Sequence, residues 1–233
     1  SDILRQNHRA ISREKIQDAF ELLRVFGFKT HAHFMLNLLG ATPESDKADY
    51  QRFVTVPAFL PDEVKLYPCS LVAGTGLVAH YEAGSWRPYS ENELLDVLVS
   101  DILITPPYMR VSRMIRDISA HDIVVGNKKA NLRQMVEAAI EKSGQASDIN
   151  EIRYREVSTG EVDREALQLI EVPYDTTNTR EYFLQWVTPE NKIAGFLRLS
   201  LPDQAYVAVH ENDLPIALGE AMIREVHVYG KVA

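Results

Sequence analysis

The sequence predicts an α/β protein with two successive textures, and three observations carry that prediction. Up to about Val157, apolar residues at helical spacing alternate with short β-rich runs, the pattern of a parallel sheet with crossover helices. After Gly160, four β-rich runs follow one another with turn residues between them, which reads as a mainly antiparallel sheet. The composition, 45% hydrophobic and 25% charged over 233 residues, suits a globular chain with one large core or two modest ones.

In chain order, Ile16, Ala19, Phe20, Leu23 and Phe26 fall at helical spacing, and Gly27 offers the C-terminal cap. "KTHAHFML" (Lys29–Leu36) predicts a strand with Thr30, Ala32, Phe34 and Leu36 on one face and His31, His33 and Met35 on the other. "VKLYP" (Val64–Pro68) is a second short strand. Ser90 with Glu93 three residues on forms a capping box, opening a helix whose stripe is Leu94, Leu95, Leu98, Ile102 and Leu103. "RVSRMI" (Arg110–Ile115) predicts another strand, and Asn131 caps a helix from Leu132 to about Ser143 that stops at Gly144. Gly160 to Glu165 reads as a linker, with a short helix through "DREALQ" equally allowed. The β-rich runs are "LQLIEVPYD", "REYFLQWVT", "KIAGFLRLS" and "MIREVHVYG", with Pro189, Glu190 and Asn191 at the tip of a hairpin.

Composition also narrows function. No run of about 18 apolar residues is present, and the start "SDILRQNHRA" lacks the apolar core of a secretion signal, so cytoplasm is the expected compartment. A single cysteine, Cys69, permits no internal disulfide and cannot by itself hold zinc or an iron–sulfur cluster, which takes about four protein ligands.

A net charge of -8 makes one basic region conspicuous: Arg110, Arg113, Arg116, Lys128, Lys129 and Arg133, joined by Arg153 and Arg155 of "EIRYREV". In an extended run, Arg110, Ser112, Met114 and Arg116 project to one face and Val111, Arg113, Ile115 and Asp117 to the other, so the arginines are divided. Two readings stay open on charge alone. Arg113 or Arg116 pairs inside the fold with Asp117 or another carboxylate, or the eight cations form a phosphate-binding surface, with Asn127 or the helix start at Asn131 adding neutral donors.

The ordered set "THAHFMLNLLGATPESD", "VKLYPCSLVAGTGL", "ITPPYMRVSRMIRDISAHDIVVGNKKANLRQ", "EIRYREV" and "MIREVHVYG" resembles the catalytic subunit of Elongator in its single-chain bacterial or archaeal form. The resemblance implies the C-terminal part of a radical S-adenosylmethionine partial barrel, with a basic tRNA-binding region, over residues 1–157. It implies the first, incomplete part of a GNAT-type acetyltransferase α+β domain over residues 158–233. The function implied is modification of the tRNA wobble uridine at carbon 5, with acetyl-CoA supplying the carbon unit and a 5'-deoxyadenosyl radical attaching it. S-adenosylmethionine and a [4Fe–4S] cluster are the implied cofactors of the whole enzyme. The basic region then contacts tRNA, with binding that weakens in salt.

Departures from the family pattern qualify this. The three cluster cysteines are absent and no pyrophosphate loop follows "HVYG", so the chain is expected to be an internal piece that binds tRNA without complete catalysis. Glu151 and Tyr154 stand where several relatives carry a Cys-x-x-Cys pair of a structural zinc site, so no zinc is expected. His31 and His33 have the spacing of a ligand pair but lack a third partner, so no metal is assigned to them; they line the barrel interior near the adenosylmethionine site or satisfy polar groups in the core. Lys65 and Tyr67, near the C-terminal end of their strand, contact that ligand or pack.

By resemblance, Met222–Tyr229 is the strand to which the pantetheine arm of acetyl-CoA adds, which gives cofactor-binding roles to Glu225, Val226, His227 and Val228. Val226 and Val228 are expected in the core, with Glu225, His227 and Tyr229 on the opposite face. His227 is a candidate base near the thioester and Tyr229 a second catalytic candidate; a hydrogen-bonded strand histidine is the bland alternative for His227. Two other functions remain: a GNAT-type protein lysine acetyltransferase, which would not require the basic region, and a noncatalytic tRNA-binding module. Open edge strands also allow a homodimer.

Overall fold

The computed structural model describes residues 2–9, 11–114, 118–157, 162–210 and 213–230. The first texture contains α1 (Asp2–Gln6), α2 (Arg13–Val25), β1 (His31–Leu36), α3 (Pro43–Thr55), β2 (Glu63–Pro68), β3 (Leu71–Val72), α4 (Leu77–Glu82), α5 (Glu91–Ile104), β4 (Arg110–Met114), β5 (Ile123–Val125), α6 (Leu132–Lys142) and α7 (Ile152–Arg155). The second contains β6 (Gln168–Asp175), β7 (Thr179–Val187), β8 (Ile193–Pro202), α8 (Gln204–Val209) and β9 (Met222–Val228). Residues 162–167 are not helical, which removes the helix through "DREALQ".

The strands β1, β2 and β4 form a parallel sheet in the order β1-β2-β4. Leu36, Val64, Leu66, Val111 and Met114 pack with Tyr50 and Val54 of α3, Leu94, Val97, Leu98 and Ile102 of α5, and Leu132, Val136 and Ile140 of α6. Each fully buried aliphatic side chain contributes roughly 1.5–3 kcal/mol.

Pairing jumps from Val64 opposite Val111 to Lys65 opposite Arg113, which makes Ser112 the extra residue of a bulge. The bulge corrects the simple alternation expected of this run. Val111 and Met114 both reach the core, three residues apart, and Arg113 is turned to solvent.

Local signals explain most helix ends. Ser90 and Glu93 make the expected capping box of α5, and Thr42 with Ser45 makes another at α3, just before Pro43. The Asn131 side chain makes no capping bond, so α6 starts without the expected cap. Gly126 does need to be glycine: its φ is 137° and an added Cβ would lie 2.7 Å from Ser70 Oγ, where β3 and β5 pair antiparallel.

The second sheet is antiparallel throughout, in the order β6-β7-β8-β9. Its inner residues Phe183, Val187, Ile193 and Phe196 belong to the same buried cluster as the parallel sheet, and Tyr174 stacks on Tyr108 with centroids 3.7 Å apart. Buried charges join the sheets as well. Asp62, wholly buried just before β2, accepts hydrogen bonds from Arg224 at 2.8 and 2.9 Å; Arg224 also binds Glu181 at 2.7 Å. Arg198 donates to Tyr108 O at 2.6 Å and to Glu225 at 2.8 Å.

This charged junction reverses the orientation expected for β9. Val226 and Val228 are 62% and 79% exposed rather than in the core, and Ile223 lies beside them at 58%. The inward side of β9 faces Arg198 and the cations of the parallel sheet. Glu225, His227 and Tyr229 therefore line that side, and a second bulge at Arg224 turns its guanidinium inward too.

Candidate functional site

Strand alternation leaves one face of the parallel sheet polar. Register places His31 beside Glu63, His33 beside Lys65 and Met35 beside Tyr67, with Arg113 next to Lys65. The His33 ring meets Tyr67 edge-on at 5.3 Å and lies 5.6 Å from the His31 ring. His31 Nε2 is 3.6 Å from Glu63 and 3.5 Å from Ser112 Oγ. Burial lowers the His31 pKa, and Glu63 only partly opposes this, so the ring is neutral at pH 7. Among the described residues, no three His, Cys, Asp or Glu side chains converge as they would around a metal ion.

The structure divides the eight basic residues. Arg155 is buried and donates to Gln185 Oε1 at 2.8 Å, Asn191 Oδ1 at 2.7 Å and Asn150 O, tying α7 to the hairpin between β7 and β8. Arg133 binds Glu151 at 3.0 Å, Glu137 at 2.7 Å and Val111 O. Arg110 binds Glu156 and the Tyr229 hydroxyl, the latter at 2.9 Å. Arg113, Lys128, Lys129 and Arg153 are exposed; Lys129 pairs with Glu91, and Arg153 donates to Ser112 O. Arg116 lies outside the described residues.

These contacts also seal an edge. The free side of β4 meets Glu151, which accepts from Val111 N at 3.0 Å, Arg133 on Val111 O, Ile152 N on Met109 O and Arg153 on Ser112 O. Glu151 is the N-cap of α7, accepting from Arg153 N and Tyr154 N. Thus a buried carboxylate, Glu151, and Arg133 staple this edge. The outer edge of β1 has no strand partner among the described residues and borders a cleft of about 570 Å³ lined by Phe20, Phe34, Phe53 and Phe59.

A smaller cavity, about 50 Å³, lies between the two sheets and is lined by Lys29, Arg110, Phe196, Glu225, His227 and Tyr229 among others. Lys29 bridges Glu63 at 2.8 Å and Glu225 at 3.0 Å. Burial opposes its charge, but these two hydrogen bonds outweigh burial and raise its pKa. The His227 ring stacks on Phe196 at 5.6 Å and sits 4.3 Å from the Tyr229 ring. Burial raises the Tyr229 pKa, so its phenol stays protonated at neutral pH.

Lys29, Asp62, Glu63, Glu156, Glu181, Arg198 and Arg224 were not singled out by the sequence reading. The available signal was Arg198 in "GFLRLS", where it alternates with Phe196 and Ser200 on what proves to be the buried face.

The residues present differ in how well they fit the implied cofactors. Cys69 is one thiol, its pKa raised by burial, so the described residues do not fit an iron–sulfur cluster. β9 is an edge strand whose side away from β8 has no strand partner among the described residues, which fits pairing by an extended amide-bearing arm.

Comparison with known proteins follows this geometry. Residues 61–142 match the model of the Radical_SAM C-terminal domain. The chain is 34% identical to the tRNA uridine(34) acetyltransferase of Methanocaldococcus infernus over 99% of its own length and 43% of that protein. It is 31% identical to Elongator complex protein 3 of Danio rerio, again over 99% of its length and 42% of that protein. A solved structure of archaeal Methanocaldococcus infernus Elp3 with an N-terminal deletion superposes with a TM-score of 0.86 at 33% identity, covering 98% of this chain and 54% of that one. The chain therefore spans less than half the length of the curated relatives it matches.

Proposed function

We propose that this chain, a homologue of tRNA uridine(34) acetyltransferase and Elongator complex protein 3 over 99% of its length, serves modification of the tRNA wobble uridine at carbon 5. In this reading the parallel sheet is part of a radical S-adenosylmethionine barrel, and the antiparallel sheet is part of a GNAT-type acetyltransferase domain. tRNA binds through the exposed cations Arg113, Lys128, Lys129 and Arg153. The observation that carries this is their outward placement while Arg110, Arg133 and Arg155 serve internal acceptors. Cations left exposed on the surface favour a polyanion despite a net charge of -8.

The remaining candidates take roles around two ligands. His31, His33, Lys65 and Tyr67 form the polar face offered to S-adenosylmethionine. Glu225, Val226, His227 and Val228 lie on the strand offered to acetyl-CoA, where His227 accepts a proton and the Tyr229 hydroxyl, held by Arg110, orients the acyl group. A 5'-deoxyadenosyl radical requires a [4Fe–4S] cluster that the described residues do not fit, so no step through it is assigned to them. With Cys69 the single cysteine, tRNA binding without turnover is the reading for this chain by itself.

The test is a mobility shift with a tRNA bearing an unmodified uridine at its wobble position, against a duplex RNA of equal length. Tighter binding of the tRNA supports the assignment. A folded chain that retains neither RNA overturns it.

A further inference from the structure

The cavity between the two sheets has the size and donor set of a small-ligand site, and it is lined by Glu225, His227 and Tyr229, which the proposed function places near acetyl-CoA. Its volume, about 50 Å³, exceeds the roughly 10–15 Å³ that one water requires and matches about three to five waters or one acid of four heavy atoms. Three cations line it, Lys29, Arg110 and Arg198, with one carboxylate, Glu225; Glu63, Glu156 and Asp62 pair with these cations from outside the lining, so the site offers donors rather than a net charge. Phe196 and Ile152 supply an apolar wall for a short alkyl group.

Arg110 gives the site its chemistry. Its Nη1 engages Glu156 and the Tyr229 hydroxyl, while Nε and Nη2 make no hydrogen bond among the described residues. The side chain is 23% exposed, so this pair of donors is partly shielded from bulk water. An Nε–Nη2 edge is planar and matches the two oxygens of a carboxylate. Glu156 and Tyr229 hold the guanidinium through Nη1, which preorganises it for a ligand.

We propose that this cavity binds a small carboxylate, gripped by the free edge of the Arg110 guanidinium, with the alkyl group against Phe196. The site is distinct from the tRNA surface and lies beside β9. It deepens the proposed function, on which it rests for the acyl group's place beside Tyr229 and for acetate as the first probe, by naming the group that would grip a carboxylate there.

The experiment titrates carbon-13-labelled acetate into the full chain and follows it by NMR. Saturable binding on the order of 1 mM is expected, the range open to so small a ligand. Nuclear Overhauser contacts should run from the acetate methyl to the Phe196 and Tyr229 rings, and Arg110→Gln should weaken binding tenfold or more. Arg180→Gln, an exposed arginine on β7, should leave it unchanged. If Arg110→Gln does not fold, the Overhauser contacts of the unsubstituted chain decide. Non-saturating binding, contacts elsewhere, or inorganic phosphate binding as tightly as acetate would overturn the proposal. tRNA binding by the same preparation reads the proposed function separately.

Discussion

Replacing Asp62 by Asn perturbs the charged junction that joins the two sheets. Its carboxylate, 0% exposed, accepts from both terminal nitrogens of Arg224 at 2.8 and 2.9 Å, from Thr30 N at 2.8 Å and from Thr30 Oγ1 at 3.0 Å, with Arg198 Nη1 3.4 Å away. Burial opposes its ionisation, but Arg224 and Arg198 outweigh burial and hold its pKa well below the usual carboxylate range. Asparagine keeps the volume and one acceptor but turns an amide NH₂ toward a guanidinium. Arg224 retains Glu181 and Arg198 retains Glu225, so the network is not wholly lost. Breaking one partner out of a buried ion pair typically costs about 3–5 kcal/mol. For a chain of this size that corresponds to a fall in Tm of roughly 6–20 °C. Single-tryptophan versions give the assay, with Trp86 reporting on the parallel half and Trp186 on β7. In the parent the two transitions should coincide; in Asp62→Asn both should fall, and the antiparallel half should melt apart from the other. A loss under about 1 kcal/mol with coincident transitions would refute the argument, because exposed pairs lose no more than that.

Other consequences follow from the same structure. Because the folded pKa of Asp62 is depressed, its stabilisation is fully present above its unfolded value of 3.8 and is lost as pH falls below it, so acid melts should show Asp62→Asn converging on the parent. Asp101 has the opposite sign: neither carboxyl oxygen has a hydrogen-bond partner among the described residues, and burial, reinforced by Asp46 and opposed by Lys47, raises its pKa well above 3.8. Its stabilisation is present below 3.8 and lost as pH rises toward the folded pKa, so Asp101→Asn should raise Tm at pH 7, by about 1–3 kcal/mol in stability, with the gain vanishing near pH 3. Glu151→Ala removes the acceptor for Val111 N, Arg153 N and Tyr154 N and the buried partner of Arg133, which keeps Glu137 and Val111 O, so it should cost about 3 kcal/mol. Hydrogen exchange should then accelerate at those three amides; unchanged protection would show that the staple does not hold β4.

Local chemistry was legible in the sequence, and long-range pairing was not. Ser90 with Glu93, the face alternation of His31–Leu36 and the four β-rich runs are short-range patterns, and the structure follows them. The bulges at Ser112 and Arg224 carry no such pattern, because the extra residue is set by the partner strand; they re-phased Met114 and turned Arg224 inward. The fate of the arginines depended on distant carboxylates: Arg133 on Glu151, Arg110 on Glu156, Arg224 on Asp62 and Glu181. The exposed valines of β9 have the same origin, since a polar junction rather than an apolar core faced that strand. The Thr42–Ser45 box that spans Pro43 is a short-range pattern of the same kind, legible in "ATPES".

The most direct test of the tRNA surface is the salt dependence of tRNA affinity for the unsubstituted chain and for a variant combining Arg113→Ala, Lys128→Ala and Arg153→Ala. If these three cations contact phosphates, the slope of log affinity against log salt should become shallower by about 2–3 in the variant. A folded variant that keeps both the slope and the affinity of the unsubstituted chain would contradict the account.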